Sequence, residues 1–395
     1  MISRYEYREH FNRIGLVDAD SVRYRARFGL MTAPLDVGGD LKLVVRFVPQ
    51  ASGTWGVGGD TLDDAALGLH EGLMQLQGSH YRLDAGRMEL NYGDALVIGN
   101  VDWNVTGRSF DAVRVHATPG ETGAFVDGFL SILKEGNVPV PAMGMAPALP
   151  GQSEPYATDD VYFGGVYAAV GPALAATLAL DVYALAKVAT VSHNAMNARV
   201  DASTRYTLGV RAKQKVGMVD YRLEAGVQFG SQPGDVSVFA YQADGELGLN
   251  LLESKLRFAG EGYFASGNDP KTTKKNEAWD QLYPTAHKWL GYMDIIGART
   301  NIAGGALHAS YAVTSDWKLG ADARFFTRPE NAAGAVMGTV INSGYAATEI
   351  DLGLSYLVAK GLVVRGAYDV FLPNKDRYGT TDAVHFVETE LRYDM

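Results

Sequence analysis

The sequence contains no cysteine and has no excess of positive charge. The absence of cysteine from all 395 residues excludes a disulfide framework, a thiolate nucleophile and a Cys-ligated zinc or iron–sulfur centre. Lys and Arg number 35 against 45 Asp and Glu, which gives a formal net charge of −10. No global basic field is therefore available to attract nucleic acid, and we expect no nucleic-acid partner.

Long apolar runs are also scarce, and residues 161–180 form an uncharged segment of the length that a membrane helix needs. Gly164-Gly165 and Gly171-Pro172 interrupt this segment, and a Gly-Pro pair breaks a helix and favours a turn. We therefore expect two uncharged strands joined at Gly171-Pro172. The N-terminal residues 1–6 have neither the basic nor the apolar region of a secretory signal, so we expect a mature or recombinant form of the chain.

The dominant feature of the chain is a period of two, in which one parity is apolar and the other is charged. In residues 22–30, apolar side chains alternate with Arg23, Arg25 and Arg27. Residues 219–229 alternate in the same way, with Arg222 and Glu224 on the polar parity. Such a pattern predicts β-strands with one apolar and one polar face, and helical spacing is nearly absent.

We predict eighteen strands, connected by short turns at one end and mostly long loops at the other. A soluble β-sandwich also alternates, but it has no reason to sort its loops by end. Short turns at the periplasmic end, long extracellular loops and an even strand number are typical of an outer-membrane barrel. The predicted strands lie near residues 2–11, 20–33, 39–49, 65–77, 79–88, 108–118, 122–135, 158–170, 172–190, 203–215, 217–231, 234–248, 250–266, 301–314, 316–328, 344–358, 361–372 and 382–393.

The prediction is therefore an all-β, transmembrane antiparallel β-barrel in the bacterial outer membrane, in contact with lipid and lipopolysaccharide. No linker interrupts the alternation, so we expect a single domain over residues 1–395, and we expect a monomer. The connection at Gln232-Pro233 is short where a long loop is due. The loop 136–157 carries five of the 14 prolines, which disfavours helix and strand and predicts a stiff, irregular lid.

The first candidate site is the lumen of this barrel. A barrel of this width is not filled by its own wall, so the charged parity should line an aqueous lumen. Arginine suits carboxylate recognition because its planar fork binds both oxygens and stays charged. Alternatively, these cations pair with lumenal acids and solvate the wall, although the run of three from Arg23 to Arg27 favours a locally positive wall. The candidates are Arg23, Arg25, Arg27, Arg46, Arg114, Arg205, Arg211, Arg257 and Arg324, together with Lys213, Lys318 and Arg365.

The second candidate is the stretch from residue 86 to residue 111, which contains Arg87, Asp94 and Arg108. If Asp84 faces the lumen, strict alternation turns Arg87 toward lipid, which costs ~2–4 kcal/mol near the midplane. A bulge at Gly86 or a strand end there would resolve this conflict. The alternative is a long polar loop that simply crosses the mouth of the barrel.

The third candidate is residues 278–294, in the longest loop. Tyr283, His287 and Lys288 lie there with two Trp, and aromatic rings with polar tips can stack on sugar rings and hydrogen-bond their hydroxyls. The alternative is an aromatic anchor at the outer rim of the membrane. The residues alone leave both alternatives open.

Enzyme motifs are missing. The chain has no G-x-S-x-G, no H-E-x-x-H and no phosphate loop, and its eight histidines show no repeated metal spacing. We therefore expect no catalysis, no cofactor and no metal. A Ser-His-acid set remains open as an alternative, because its members are adjacent in space and not in sequence.

The two loop segments resemble signatures of the alginate-export family of outer-membrane barrels. Residues 86–111 are similar to a G-R-x-E-L-x-Y-G-D, I-G, D-W, R-S-F-D pattern, and residues 280–294 to a D-Q-L-Y-P-T-x-H-K, G-Y-M-D pattern. The resemblance implies an eighteen-stranded barrel that exports an acidic exopolysaccharide, such as a polyuronate, through an arginine-lined pore narrowed by inward-folded loops. It also implies a constriction containing Arg87, Asp94, Arg108 and Asp111, and a signature loop containing Tyr283, His287 and Lys288.

Two departures from the family pattern are visible. The turn before the last hairpin is only Ala359-Lys360-Gly361, so we do not expect a long periplasmic gate there, and Tyr393 is the aromatic residue nearest the C-terminus. We predict an export pore for an anionic polysaccharide, with a periplasmic scaffold protein as a possible partner. The alternatives are a passive or substrate-specific porin and a plugged structural barrel in an envelope secretion or motility machine.

Overall fold

Eighteen antiparallel strands form a closed barrel in the computed structural model, which describes residues 1–56, 66–134, 160–175, 177–193, 199–333, 340–341 and 343–394. Each strand pairs with its neighbours in the chain, and the last strand pairs with the first, for example Ile2 opposite Arg392. The strands are β1 Ile2–Glu9, β2 Ala19–Arg27, β3 Leu41–Thr54, β4 Ala66–Gln77, β5 Tyr81–Met88, β6 Phe110–Ala117, β7 Phe125–Lys134, β8 Val161–Ala169, β9 Ala179–Ala189, β10 Ser203–Val216, β11 Val219–Gln232, β12 Val236–Leu251, β13 Leu256–Ala265, β14 Ile302–Ala312, β15 Trp317–Arg328, β16 Gly344–Ala359, β17 Leu362–Pro373 and β18 Val384–Tyr393.

Every predicted strand overlaps an observed one, and the predicted barrel is confirmed. The uncharged segment 161–180 forms β8, a short helix Gly171–Leu174 and the start of β9. In the described part of the chain, no helix has both the length and the apolar character to cross a membrane. Strands β11 and β12 are joined by residues 233–235 alone, as the sequence indicates, and Lys360-Gly361 joins β16 to β17.

The two faces of the wall follow the two parities of the sequence. Along β11, Leu223, Val227 and Phe229 are exposed on the outside, whereas Arg222 and Glu224 are buried inside. Successive side chains of a strand point to opposite faces, so the outer surface presents apolar groups to lipid and the inner surface presents charges to the lumen. Because these charges are largely buried, something other than bulk water must cover them.

The cover consists of two loops that fold into the barrel, inner loop A (residues 89–109) and inner loop B (residues 266–301). Apolar side chains of both loops pack against apolar side chains on the inner wall. One cluster joins Leu96, Trp289 and Met293 of the loops to Phe326 and Phe386 of the wall. Each large side chain buried in this way contributes about 1.5–3 kcal/mol. The loops are therefore packed parts of the interior.

Short strands Leu30–Met31 and Leu35–Gly38 pair with the first half of β3, and Lys275–Asn276 pairs with β12 inside inner loop B. The proline-rich segment 136–157, predicted to form a lid, lies outside the described residues.

Candidate functional site: the lumen and its two inner loops

One end of inner loop A is held by a carboxylate shared among three arginines. Asp102 accepts hydrogen bonds from Arg25 Nη2 at 2.9 Å, Arg27 Nη1 at 2.9 Å and Arg392 Nη2 at 2.7 Å. Arg25 also donates to the main-chain carbonyls of Asp102, at 3.0 Å, and Asn104, at 2.8 Å. Burial alone would raise the pKa of Asp102, but the charges of Arg25, Arg392 and Arg27 outweigh it and lower that pKa. The arrangement fastens the loop to β2 and β18.

The other side of inner loop A reaches the opposite wall. Asp94 accepts from Arg211 on β10, at 2.9 Å from Nε and 2.6 Å from Nη2, and from Lys213 at 3.0 Å. Arg211 also bonds Asp181 on β9 at 2.7 Å. Burial opposes ionisation of Asp94, but Arg211 and Lys213 together lower its pKa. Inner loop A therefore crosses the lumen, with charge-assisted hydrogen bonds on both sides.

Inner loop B is joined to inner loop A through the main chain. The amide of Tyr283 donates to the Val97 carbonyl at 3.0 Å, and the amide of Gly99 donates to the Tyr283 carbonyl at 2.8 Å. Arg108 completes the joint, because its Nη1 donates to the carbonyls of Gly99 at 3.1 Å, Pro284 at 2.9 Å and Tyr283. The guanidinium of Arg108 is thus occupied by the protein itself.

Inner loop B is fastened to further strands of the wall. Arg299, which is almost fully buried, bonds Asp244 on β12 at 2.6 Å. Asp280 accepts from Lys187 on β9 at 3.0 Å, and the Met293 amide donates to Glu349 on β16 at 3.0 Å. The two loops together connect walls on all sides of the barrel.

The signature-loop residues take different positions. Tyr283 packs edge-on against Phe163 at 4.8 Å between ring centres, and burial, with Asp280 adding to it, raises its pKa to about 12. His287 stacks on Trp103 of inner loop A at 3.9 Å and bonds Asp294 at 3.1 Å. The His287 ring therefore joins the two loops and also lines a lumenal cavity, whereas the Tyr283 ring packs against β8 of the wall.

That cavity has a volume of about 630 Å³ and lies against the wall near the short-turn end. A second cavity of about 820 Å³ shares Asp94, Lys288, Tyr292 and Asp322 with it. Three cations lining the first cavity have no carboxylate within 4.0 Å among the described residues, namely Lys288, Lys318 and Arg365. Burial lowers the pKa of Lys288; the Asp94 carboxylate opposes this shift, and nearby cations add to it.

The nine predicted wall arginines differ from these three cations, because each has a carboxylate partner. The pairs and their shortest N–O distances are Arg23–Glu6 3.7 Å, Arg25–Asp102 2.9 Å, Arg27–Asp102 2.9 Å, Arg46–Glu71 2.6 Å, Arg114–Asp84 2.6 Å, Arg205–Asp280 3.9 Å, Arg211–Asp94 2.6 Å, Arg257–Glu246 2.6 Å, with a closer contact to Asp220, and Arg324–Asp351. Most of their binding capacity is thus directed at the protein.

Two predicted constriction residues do not face the lumen. Arg87 and Asp111 lie on the outer face near the extracellular end of β5 and β6, where Arg87 donates to both Asp111 oxygens at 2.7 Å. The pairing of β5 with β6 runs through Gly86 and Arg87 without a bulge, so alternation is kept, with Asp84 inside and Arg87 outside. The strand ends one residue later, and the bidentate pair compensates both charges at this edge.

Sequence reasoning missed several residues that hold the loops. Arg4 donates to the Trp103 carbonyl at 2.6 Å, and the Arg222 guanidinium lies 4.4 Å from the Trp289 ring centre. Arg4, Arg222 and Arg392 lie on the inward, charged parity of β1, β11 and β18, and that signal was available in the sequence. Arg299 lies in a loop and had no such signal.

A family model described as alginate export matches residues 68–373, which is well over half of the chain. No curated protein matches it. The outer membrane protein OpdK of Pseudomonas aeruginosa is similar in structure, with a TM-score of 0.66 at 13% identity, covering 99% of this chain and 96% of that chain.

Two further Pseudomonas aeruginosa structures are similar. OccK5 has a TM-score of 0.64 at 11% identity, covering 99% of this chain and 95% of that chain. OccK2, solved in complex with glucuronate, has a TM-score of 0.63 at 12% identity, covering 99% and 96%. Identities this low show a shared fold alone. Together with the family match, the barrel is that of a bacterial outer-membrane transport channel and not of an enzyme. The chain belongs to the alginate-export family.

Proposed function

We propose that this barrel exports an anionic, uronate-containing polysaccharide from the periplasm, and that the 630 Å³ cavity is where a uronate unit binds on entry. The observation that carries the proposal is a set of three cations on the wall of that cavity, Lys288, Lys318 and Arg365, which have no carboxylate partner among the described residues. Trp103 and Tyr292 line the same cavity. Cations beside aromatic rings suit a uronate, which has a carboxylate and an apolar ring face.

In this proposal the paired arginines hold the two inner loops and do not bind the polymer directly. A polymer cannot pass while inner loops A and B connect opposite walls, so export requires the loops to move. The fastenings are separate ion pairs and hydrogen bonds, each contributing about 1.5–3 kcal/mol. Such contacts can be exchanged one at a time for contacts with a polyanion, so the loops can move aside as the polymer enters.

The second candidate is a substrate-specific porin for small carboxylates. It is favoured by the cavity volume, which suits one or two sugar units, and by the structural likeness to OccK2 with glucuronate and to OpdK with vanillate. A porin of this kind would conduct with the loops in place. A plugged structural barrel, the third possibility, would conduct under no condition.

The test is single-channel conductance of the refolded chain in a planar bilayer, with a polyuronate, monomeric glucuronate or a neutral glycan added in turn. Export predicts block by the polyuronate from the short-turn side and little response to the neutral glycan. Block by the monomer at equal uronate concentration would favour the porin, and absence of any current would favour the structural barrel.

A cation-deficient variant sharpens this test. Replacing Lys288, Lys318 and Arg365 by Gln should weaken polyuronate block by at least about tenfold, which corresponds to ~1.4 kcal/mol. The matched control replaces three exposed lysines that line neither cavity, Lys255, Lys271 and Lys360, and should block as the parent does. Equal block in both variants would contradict the proposed site.

A further inference from the structure

The same cavity contains an acidic wall that the proposed function does not use. Asp322, Asp351 and Asp369 lie on the neighbouring strands β15, β16 and β17 and stand directly opposite one another in register, Asp322 with Asp351 and Asp351 with Asp369. Side chains directly opposite in an antiparallel pair have Cβ atoms about 4.5–5.5 Å apart, and like charges there are destabilising. All three residues line the 630 Å³ cavity.

Asp369 has no partner in the part of the chain that the structure describes. It is 1% exposed, and neither of its carboxylate oxygens accepts a hydrogen bond. Asp351 is 3% exposed; Arg324 pairs with its Oδ2, while its Oδ1 accepts nothing. Asp322 is already held by His308 at 2.6 Å.

The surroundings supply little compensation. The groups that face this pair from the packed elements are Asp322 and Arg324 on β15, Glu349 on β16, Arg365 on β17, Glu388 on β18, and His287 and Tyr292 from inner loop B. Glu349 uses one oxygen to accept the Met293 amide, and its other oxygen has no partner. An ionised carboxylate buried without a partner costs several kcal/mol, so this pair needs a compensating charge, either a proton or a bound cation.

We propose that Asp351 and Asp369 bind a calcium ion at the cavity wall, with water completing the coordination. Carboxylate oxygens are hard ligands, which exclude a preference for soft metals, and calcium accepts an open, irregular site with several waters. Magnesium demands a more regular octahedral arrangement. With two protein carboxylates, the affinity should resemble that of weak extracellular sites, with a Kd of about 10⁻⁴–10⁻³ M.

A second acidic group is a poorer site. Glu246, Glu261 and His308 bring three ligand atoms within 4.8 Å of one another, but their charges are already compensated. His308 bonds Asp322 and, at 2.9 Å, Glu261, so both its ring nitrogens are occupied. Arg257 lies 2.6 Å from Glu246, and Arg222 lies 3.4 Å from Glu261. A cation at this position would compete with the two arginines.

A bound ion would change the character of the cavity. It would remove the repulsion that Asp351 and Asp369 exert on an anion and would leave open ligand positions for a uronate carboxylate, a consequence that rests on the proposed function. Binding of calcium itself does not depend on what the pore carries.

The experiment is isothermal titration of the refolded full-length chain in detergent with calcium chloride, with magnesium chloride and potassium chloride as comparisons and no polysaccharide present. We expect one calcium site per barrel, weakened at least tenfold in Asp369→Asn and unchanged in Glu261→Gln. If Asp369→Asn does not form a heat-modifiable barrel on a gel, Asp369→Ser takes its place.

Three results would overturn the proposal. The first is that the parent chain binds no calcium, which would leave a shared proton as the compensating charge. The second is that the parent and Asp369→Asn bind calcium equally well. The third is that binding is lost only in Glu261→Gln, which would move the site to the second acidic group. Because no sugar is present, failure here is separate from failure of polysaccharide export, which the bilayer measurement reports.

Discussion

Asp102 and Arg392 are 290 residues apart in the chain, and the Arg392 Nη2 donates to the Asp102 carboxylate at 2.7 Å. The contact joins inner loop A to the final strand of the barrel, beside the seam where β18 meets β1. Arg25 and Arg27 reach the same carboxylate from β2. A single side chain thus fastens the loop on both sides of the seam, and its removal should test whether the loops close the pore.

The first prediction concerns Asp102→Asn. An amide removes the charge that holds three guanidinium groups together, so they repel one another and inner loop A is released. Charge-assisted hydrogen bonds contribute about 1.5–3 kcal/mol each, so the closed–open equilibrium should move toward open by at least about tenfold. Single-channel recording should show larger or more frequent openings. The matched control is Asp111→Asn, which removes an aspartate bonded to Arg87 on the outer face. Equal recordings from both variants would show that Asp102 does not hold the pore closed.

The second prediction concerns acid. The pKa of Asp102 is lowered from its ordinary value of 3.8, because Arg25, Arg392 and Arg27 outweigh the effect of burial. A lowered pKa in the folded state means that the ionised form stabilises the closed state at pH values above 3.8, and that this stabilisation is lost as pH falls through the lowered pKa. Openings should stay infrequent down to about pH 4 and become more frequent below it. Conductance recorded over this range should show the transition, and Asp102→Asn should lack it; opening already near pH 6 would contradict the assignment.

The third prediction separates two arginines of one sequence motif. Arg108 donates to three main-chain carbonyls of the inner loops, whereas Arg87 bonds Asp111 and, at 3.4 Å, the Leu69 carbonyl on the outer face. Arg108→Ala leaves the Gly99 and Pro284 carbonyls without this donor, at about 1–3 kcal/mol each, whereas the Tyr283 carbonyl keeps the Gly99 amide. Inner loop B should then be cut by trypsin at least about fivefold faster, and Arg87→Ala should be cut at the parental rate. Equal rates would show that Arg108 does not hold the loops.

The strands were predictable because lipid and water impose opposite demands on the two faces of one wall. Successive side chains of a strand point to opposite faces, so these demands produce an alternation of polar and apolar residues, as at Arg222 and Glu224 with their apolar neighbours. The ends of the strands were less predictable. The sequence predicts that the second strand continues to residue 33, but it ends at Arg27, and a separate short strand follows at Leu30–Met31. The sequence there stays apolar, so alternation alone does not mark the break.

The carboxylate partners of the lumenal arginines were not predictable in the same way. The carboxylates that occupy Arg25, Arg205 and Arg211 belong to Asp102, Asp280 and Asp94, all in the inner loops. A loop's path across a lumen depends on packing between distant segments, which periodicity does not report. Similarity to a family motif placed Arg87 near the pore but gave no direction to its side chain. Direction comes from strand parity, which places it outside.

The last prediction concerns the aromatic side of the cavity. Trp103 stacks on His287, and the Arg4 guanidinium lies 5.7 Å from its ring centre. If a uronate ring packs on this indole, Trp103→Ala should weaken polyuronate block by roughly two- to tenfold, in line with about 0.5–1.5 kcal/mol for a ring contact, and Trp103→Phe should retain most of it. The control, Trp55→Ala, removes an exposed indole outside the lumen. Loss of the stack also loosens the joint between the inner loops, which raises open-pore conductance; the blocking constant, measured separately from conductance, reports binding. A higher conductance with an unchanged blocking constant would assign Trp103 to the joint and not to the sugar site.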